Sequence, residues 1–202
     1  MLQQKIPKNP PVFTKPPDAL AGSSQDISVH RDLQKMLDYE GELTVIIGRE
    51  TKNVSEDDAL DYVLGYTMGN DVSARDYQIP EICGFQVGYA KSFDMFGPIG
   101  PAILAAKNVF DPQKLHYTTR VNGEVRQDVD TADMIWSVRQ IIAHLSRATT
   151  LRAGTVIMTG TSSGMGWHTN RFLKHQDVVE IELDGLLPAL TNRFIFEGSP
   201  SS

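Results

Sequence analysis

Two carboxylates, Glu40 and Glu42, stand two residues apart at the start of the Val/Ile-rich stretch LDYEGELTVIIGRE, residues 37–50. Side chains at positions i and i+2 of an extended chain point to the same face, so we expect these carboxylates to be neighbours about 6 to 7 Å apart. Like charges at that separation repel each other. The pair is therefore easiest to explain if a positive charge lies between them.

A third carboxylate, Asp71, ends the β-like segment YTMGND at the point where a polar loop begins. Together with Glu40 and Glu42 it would complete an all-oxygen site. Three carboxylates without His or Cys suit a hard divalent cation, Mg²⁺ in the first place, with Mn²⁺ or Ca²⁺ as substitutes. The spacing alone leaves an alternative, in which the glutamates are solvent-facing residues on a strand edge and the aspartate caps a turn.

The composition predicts a single globular domain with a small molecule as its partner. The chain has 202 residues, 41% of them hydrophobic and 22% charged, which is enough for a sizeable core. A formal net charge of -6 and the lack of a Lys/Arg-dense run argue against nucleic acid or an anionic membrane as partner. The single cysteine, Cys83, fits a reducing compartment. Since the sequence lacks both a long apolar run and a secretory signal, we expect a cytoplasmic protein.

Patterning along the chain predicts a mostly-β fold of the α+β class, because short strands outnumber helices and no regular βαβ alternation is seen. An Asn122-Gly123 pair between two alternating segments predicts a β-hairpin. The expected strands lie at 41–48, within 64–74, around PAILAA (101–106), on both sides of the hairpin turn (115–127), at 154–161 and at 177–186.

Two helices and three regions complete the prediction. A capping-box-like pair, Ser55 and Asp58, predicts one helix start, and a second helix is expected from about Met134 to Arg147. We expect residues 1–25 to be a loosely structured lead-in that docks on the surface, 26–197 to form the catalytic domain, and 198–202 to be a tail.

A series of motifs runs through nearly the whole chain in a fixed order: FTKPPDALAG, DYEGELTVIIGR, GYTMGNDVSARDYQ, AKSFDMFGPIGPAIL, VNGEVRQDVDTADMIWS, GTVIMTGTSSGMG and DVVEIELDGL. In this order they resemble the fumarylacetoacetate hydrolase (FAH) family, specifically its small single-domain acylpyruvate hydrolases and oxaloacetate decarboxylases. The resemblance implies an FAH-type mixed β-roll with short flanking helices and a homodimer. It also implies Mg²⁺ or Mn²⁺ bound by Glu40, Glu42 and Asp71.

The same resemblance implies roles for four further residues. Arg75 and Lys91 match functional positions of the family, where they would hold substrate carboxylates and offset developing charge as catalytic and substrate-binding groups. Gln78 and Thr161 match positions that hydrogen-bond to substrate. Taken alone, a lone Arg or Lys is far more often a surface residue, and the other two would be a loop amide and a turn hydroxyl.

The expected chemistry is that of a 2-oxo acid, which can chelate a divalent ion through its carboxylate and keto oxygens. The metal then draws charge from the keto oxygen as a metal-bound enolate forms. Hydrolysis of a C–C bond in an acylpyruvate and decarboxylation of an oxaloacetate-like substrate both pass through this species. Two alternatives stay open: a keto-enol tautomerase or isomerase of a related metabolite, and a metal-binding family member without turnover.

Several features depart from the family pattern. Relatives usually have Pro where Ser162 stands, and a small hydroxyl residue where Asp18 stands. A His-x-x-Glu lid segment, which activates water, usually precedes the IPKNPPVFTKP stretch, and we expect this segment to be missing. Among the histidines, His168 is the first candidate for a substitute base, because it follows the SSGMGW loop.

Overall fold

The computed structural model describes residues 6–199, whose strands form two five-stranded sheets and one two-stranded sheet. The strands, in chain order, are β1 (Leu20–Ala21), β2 (Ile27–Val29), β3 (Leu37–Asp38), β4 (Gly41–Ile47), β5 (Val63–Asn70), β6 (Ser73–Ala74), β7 (Gly97–Ala105), β8 (His116–Val121), β9 (Glu124–Asp130), β10 (Val156–Met158), β11 (Val178–Leu183) and β12 (Leu190–Phe196). The α-helices are short: α1 (Pro80–Cys83), α2 (Val138–Ser146) and α3 (Gly166–Thr169). The expected α+β class, mostly β with short flanking helices, is confirmed.

The first sheet has the strand order β1-β7-β5-β4-β10. Strand β4 is antiparallel to both β5 and β10, whereas β1 is parallel to β7. All seven residues of β4 are buried, so the face that carries Glu42 and Thr44 is covered as well as the face that carries Leu43 and Val45. The pairing of β4 with β5 places Gly41 opposite Asn70, so the start of one strand meets the end of the other.

The second sheet has the order β2-β12-β11-β8-β9. The predicted hairpin joins β8 to β9, and both Asn122 and Gly123 have the positive φ (51° and 77°) that a two-residue hairpin turn requires. Alternate residues of β11 are buried, as expected for a strand with one face on the core. A continuous cluster of buried side chains from both sheets, including Leu43, Met68 and Phe194, forms the core.

Three local predictions need correction. Helix α2 begins at Val138 rather than near Met134, because Ser137 and Gln140 form a reciprocal capping box at that point. Ser55 and Asp58 do bond to each other, with the Ser55 Oγ 2.6 Å from an Asp58 carboxylate oxygen, but the residues that follow form only a 3₁₀ turn, Ala59–Tyr62. The sequence analysis also did not predict β12, which pairs with β11 and β2.

Between residues 6 and 199, no helix is long and apolar enough to cross a membrane, and the longest, α2, has nine residues. The described part of the segment before β1 contains a single regular element, the 3₁₀ turn Pro17–Ala19. Its Lys15 is half-buried and points into the site described next. The boundaries at 25/26 and 197/198 stay predictions.

Candidate active site

The ends of strands β4 and β5 bring Glu40, Glu42 and Asp71 together. The Asp71 amide donates a hydrogen bond to the Glu40 carbonyl (2.9 Å), which continues the pairing of the two strands by one residue. One carboxylate oxygen from each residue lies within 4.8 Å of the others, and the three residues are only 6%, 3% and 2% exposed. The solvent-facing alternative for the glutamates is therefore wrong, and the two acids point to one face as their spacing predicts.

Gly41, between the two glutamates, allows this close packing. A Cβ atom at this position would lie 2.1 Å from the Thr119 hydroxyl of the neighbouring sheet. The Gly41 amide donates to the Gln127 side-chain oxygen (3.0 Å), and its carbonyl accepts from Tyr117 and Thr161. The start of β4 is thus fixed by contacts on both sides.

Two buried cations, Lys91 and Arg75, contact the carboxylates. The Lys91 ammonium lies 2.7 Å from Glu40 Oε2 and also bonds to Asp71 Oδ2. The Arg75 guanidinium lies 2.6 Å from Glu40 Oε1. Burial alone would lower the pKa of each cation, but the surrounding carboxylates, Glu40 first among them, outweigh burial and raise both pKa values above their ordinary ranges.

Glu42 differs from its neighbours, because no Lys or Arg nitrogen of the described residues lies within 4.0 Å of its carboxylate. The Gly160 amide donates to Glu42 Oε2 at 2.7 Å. Burial, then Asp71 and Glu40, raise the pKa of Glu42 well above its ordinary 4.5. The three carboxylates offer only oxygen ligands, and that of Glu42 has no cationic partner among residues 6–199. Such a set fits a hard divalent cation such as Mg²⁺.

Lys15 belongs to the site although the sequence analysis did not select it. Its ammonium lies 2.6 Å from Asp71 Oδ1 and also donates to the Lys91 backbone carbonyl. Burial lowers the pKa of Lys15 from its ordinary 10.5, while Asp71 acts in the opposite direction. The residue lies in the FTKPPDALAG motif, but no local pattern indicates a contact with a residue 56 positions away.

Asp38 was also missed, although the alternation that selects Glu40 and Glu42 includes it. Its carboxylate is fully buried, and its Oδ2 accepts from the Arg75 Nε at 2.8 Å. The same carboxylate accepts from the backbone amides of Gly166 (2.7 Å) and Trp167 (2.9 Å). Asp38 therefore orients Arg75 and fixes the start of α3.

Gln78 and Thr161, the two uncharged side chains predicted to bind substrate, differ in whether a hydrogen-bonding group remains available. Gln78 Oε1 accepts from Arg75 Nη1 (3.1 Å), while its buried Nε2 has no hydrogen-bond partner among residues 6–199. The Thr161 hydroxyl donates to the Gly41 carbonyl (3.1 Å) and accepts from Gln127 Nε2 (2.8 Å). Gln78 thus offers a donor directly, whereas Thr161 would have to exchange an existing bond.

The departures from the family pattern lie outside this cluster of charges. The Asp18 side chain is exposed, and its backbone carbonyl accepts from the Met95 amide (3.0 Å). His168 is exposed on α3, and the Ser162 hydroxyl donates to the Ser163 carbonyl (3.1 Å). None of these contacts involves the three carboxylates.

The chain is similar to known proteins in sequence and in fold. Residues 1–195 match the family model described as fumarylacetoacetate (FAA) hydrolase C-terminal. The chain is 41% identical over 181 residues to oxaloacetate tautomerase YisK of Bacillus subtilis, a match that covers 89% of this chain and 59% of the relative. It is 40% identical over 183 residues to the mitochondrial oxaloacetate tautomerase fahd2 of Xenopus laevis, covering 90% and 57%. The chain thus spans somewhat less than three fifths of the length of these curated relatives.

Solved structures of similar fold share sequence as well. A 2-hydroxyhepta-2,4-diene-1,7-dioate isomerase from Mycobacterium marinum superposes with a TM-score of 0.86 at 39% identity, covering 96% of this chain and 71% of the other. A fumarylacetoacetate hydrolase from Exiguobacterium antarcticum superposes with a TM-score of 0.84 at 40% identity, covering 92% and 66%. The β-roll that carries the site is therefore common to all of them.

Proposed function

Because the chain belongs to the fumarylacetoacetate hydrolase family, we propose that it binds one divalent cation at Glu40, Glu42 and Asp71 and acts on a small 2-oxo acid through its enolate. The observation that carries the proposal is the buried carboxylate of Glu42: two further carboxylates lie within 4.8 Å of it, yet no Lys or Arg nitrogen of residues 6–199 lies within 4.0 Å. Mg²⁺ is the first candidate, with Mn²⁺ or Ca²⁺ as substitutes.

The charges of the site favour an anionic ligand once a divalent cation is bound. With all four carboxylates of the site ionised, as metal binding requires, the charges of Asp38, Glu40, Glu42 and Asp71 and of the three cationic side chains sum to one net negative charge. A bound divalent cation would offset the charge that develops on a substrate keto oxygen, which is the chemistry that such an ion supplies. The loaded site would then carry one net positive charge, which suits a carboxylate ligand.

Lys91, Arg75 and Gln78 supply the groups that this chain itself brings to the reaction. The Lys91 ammonium is buried at the centre of the carboxylates, where an oriented charge stabilises a developing enolate more strongly than it would in water. Arg75, oriented by Asp38, adds a buried positive charge; its Nε, Nη1 and Nη2 atoms already contact protein acceptors, so a substrate carboxylate would have to replace one of these contacts. Gln78 Nε2 is a ready donor to a substrate oxygen. Thr161 is the proposed fourth contact.

Of the reactions that share an enolate, we place keto-enol tautomerisation first, because the relatives named above include two oxaloacetate tautomerases. This reaction needs only the removal of a proton from one atom and its return at another. Hydrolysis or decarboxylation of a C–C bond is the second candidate, supported by the family itself and by the similar hydrolase structure. A homodimer and a cytoplasmic location remain predictions.

The test incubates the protein with oxaloacetate and Mg²⁺ or Mn²⁺, before and after chelation. The enol absorbance, CO₂ release and metal binding by calorimetry are followed separately. We expect metal-dependent loss of the enol signal without matching CO₂ release. Acylpyruvates tested in parallel would reveal hydrolysis.

Lys91→Ala sharpens this test. We expect the variant to bind metal yet to lose most turnover, by roughly 10²-fold or more, because an oriented charge at the enolate is removed. Lys107→Ala, at an exposed lysine, is the matched control and should match the parent. Unchanged kinetics of Lys91→Ala would remove this residue from the proposed site, and absence of metal binding by the parent would overturn the proposed function.

A further inference from the structure

Lys15 enters the site from the segment before β1, of which residues 6–19 contribute no other charge to the site. Its side chain is 14% exposed, and its ammonium contacts one oxygen of Asp71, Oδ1, while the other oxygen faces Lys91. The second bond of the ammonium goes to the backbone carbonyl of Lys91. One lysine thus contacts both a proposed metal ligand and the backbone of the proposed catalytic cation.

Gly97 at the start of β7 makes room for this side chain. A Cβ atom at position 97 would lie 2.9 Å from the Lys15 Cε and 3.2 Å from the Ala19 carbonyl oxygen. Gly97 does not have the positive φ that would by itself favour glycine. The Lys15 stem and the Ala19 carbonyl therefore both lie close to this glycine, so a side chain at position 97 would displace at least one of them.

We infer that Lys15 is a positioning residue that sets the charge of the site through Asp71, and that it strengthens the binding of anionic ligands while it weakens the binding of the metal. This inference rests on the proposed function. With a divalent cation bound, the site carries one net positive charge only because Lys15 is counted among its cations. Without Lys15, the loaded site would be neutral and would attract a substrate carboxylate less strongly.

The metal experiences the opposite effect. The Lys15 ammonium competes for the negative charge of Asp71 and repels a second cation nearby, so its removal leaves a more negative set of ligands. A residue that merely supported the fold would change both affinities in the same direction. The opposite signs distinguish a charge-setting role from a structural one.

The experiment compares Lys15→Met, Lys15→Arg and Gly97→Ala with the parent by calorimetry. Mg²⁺ alone is titrated first, and then oxalate, an anion that mimics the carboxylate and keto oxygens of a 2-oxo acid, at saturating Mg²⁺. We expect Lys15→Met to bind Mg²⁺ about threefold or more tightly and oxalate about tenfold or more weakly. Lys15→Arg keeps the charge and should stay within about threefold of the parent for both ligands. Gly97→Ala, which displaces the lysine stem, should lie between them.

Lys8→Met is the matched control, because it removes an exposed lysine from the same segment and should change neither affinity. Weaker binding of both ligands by Lys15→Met, or unchanged oxalate binding, would overturn the inference. Melting in the presence of a chelator separates this inference from the proposed function: Lys15→Met should melt below the parent and Lys15→Arg near it. A parent that binds no Mg²⁺ contradicts the proposed function, whereas a Lys15→Met chain that melts like the parent contradicts the role of Lys15.

Discussion

Two clusters of charge, one at the active site and one on the second sheet, differ mainly in their contact with solvent. In the active-site cluster, Arg75, Lys91 and Glu40 have side chains that are 6 to 8% exposed. In the second cluster, the His116 ring lies between Asp128 (2.9 Å) and Asp184 (2.5 Å), and these three side chains are 36%, 69% and 49% exposed. The distances are alike, so distance alone does not tell the two clusters apart.

We infer from this difference that the contribution of an ion pair to the free energy of unfolding depends on its burial rather than on the number of pairs. Charges in contact with water are solvated before and after pairing, and salt screens them further. Buried charges have lost that solvation, so each one depends on its partners.

Arg75→Met should have the largest effect on stability. It leaves Asp38 and Glu40 buried without one of their cations, and the loss of one partner of a buried pair costs about 3 to 5 kcal/mol of unfolding free energy. Arg120→Met removes a half-exposed partner of Glu182 on the second sheet and should cost less than about 1 kcal/mol. Denaturant unfolding of both variants measures the difference. Similar losses of unfolding free energy would contradict the stronger dependence of the buried charges on their partners.

Glu42→Gln separates stability from binding. The substitution removes a buried carboxylate that has no cationic partner in the described part of the chain, so with a chelator present we expect the variant to melt at or above the parent. Metal affinity should fall by about 100-fold or more, because loss of a ligand exceeds the effect of an outer contact. Calorimetry with Mg²⁺ provides the measurement. If the variant binds Mg²⁺ as the parent does, Glu42 is not a ligand.

His116→Asn tests the exposed cluster and should give the smallest effect. The hydrogen bond to Asp184, with further contributions from Asp128 and Asp130, raises the pKa of His116 above its ordinary 6.5. The stabilisation is therefore fully present below pH 6.5 and is lost as the pH rises through the higher pKa of the folded state. We expect the variant to be less stable than the parent at pH 5, by no more than about 1 kcal/mol, and equal to it at pH 9. Melting curves across this range, repeated at high salt, provide the check. A difference that grows with pH would have the wrong sign.

The sequence predicts those parts of the fold that depend on neighbouring residues. The Asn122-Gly123 turn requires two positive φ angles, which these residue types adopt readily. The face shared by Glu40 and Glu42 follows from the twofold repeat of an extended strand. Strand β12 was missed because its pattern is interrupted by a buried Asn192, whose side chain bonds to the carbonyls of Gly22 and Gln25, more than 160 positions away.

In the site, too, the sequence reveals only those residues that are related by local spacing. Asp38 could have been found, because it continues the alternation of the two glutamates by one step. Spacing does not reveal Lys15, because its partner Asp71 lies 56 positions away in the sequence and the two residues meet only in the folded chain. The proposed roles of Gln78 and Thr161 depend on family resemblance, because a lone amide or hydroxyl carries no pattern of its own.

The loop that leads from Gly160 to α3 is held at both ends by carboxylates of one extended stretch of chain. Glu42 accepts from the Gly160 amide, and Asp38 accepts from the amides of Gly166 and Trp167. These bonds involve the backbone of the loop, so they do not depend on which side chains the loop carries. A residue such as Ser162 can therefore be exchanged for another while the carboxylates that hold the loop stay in place.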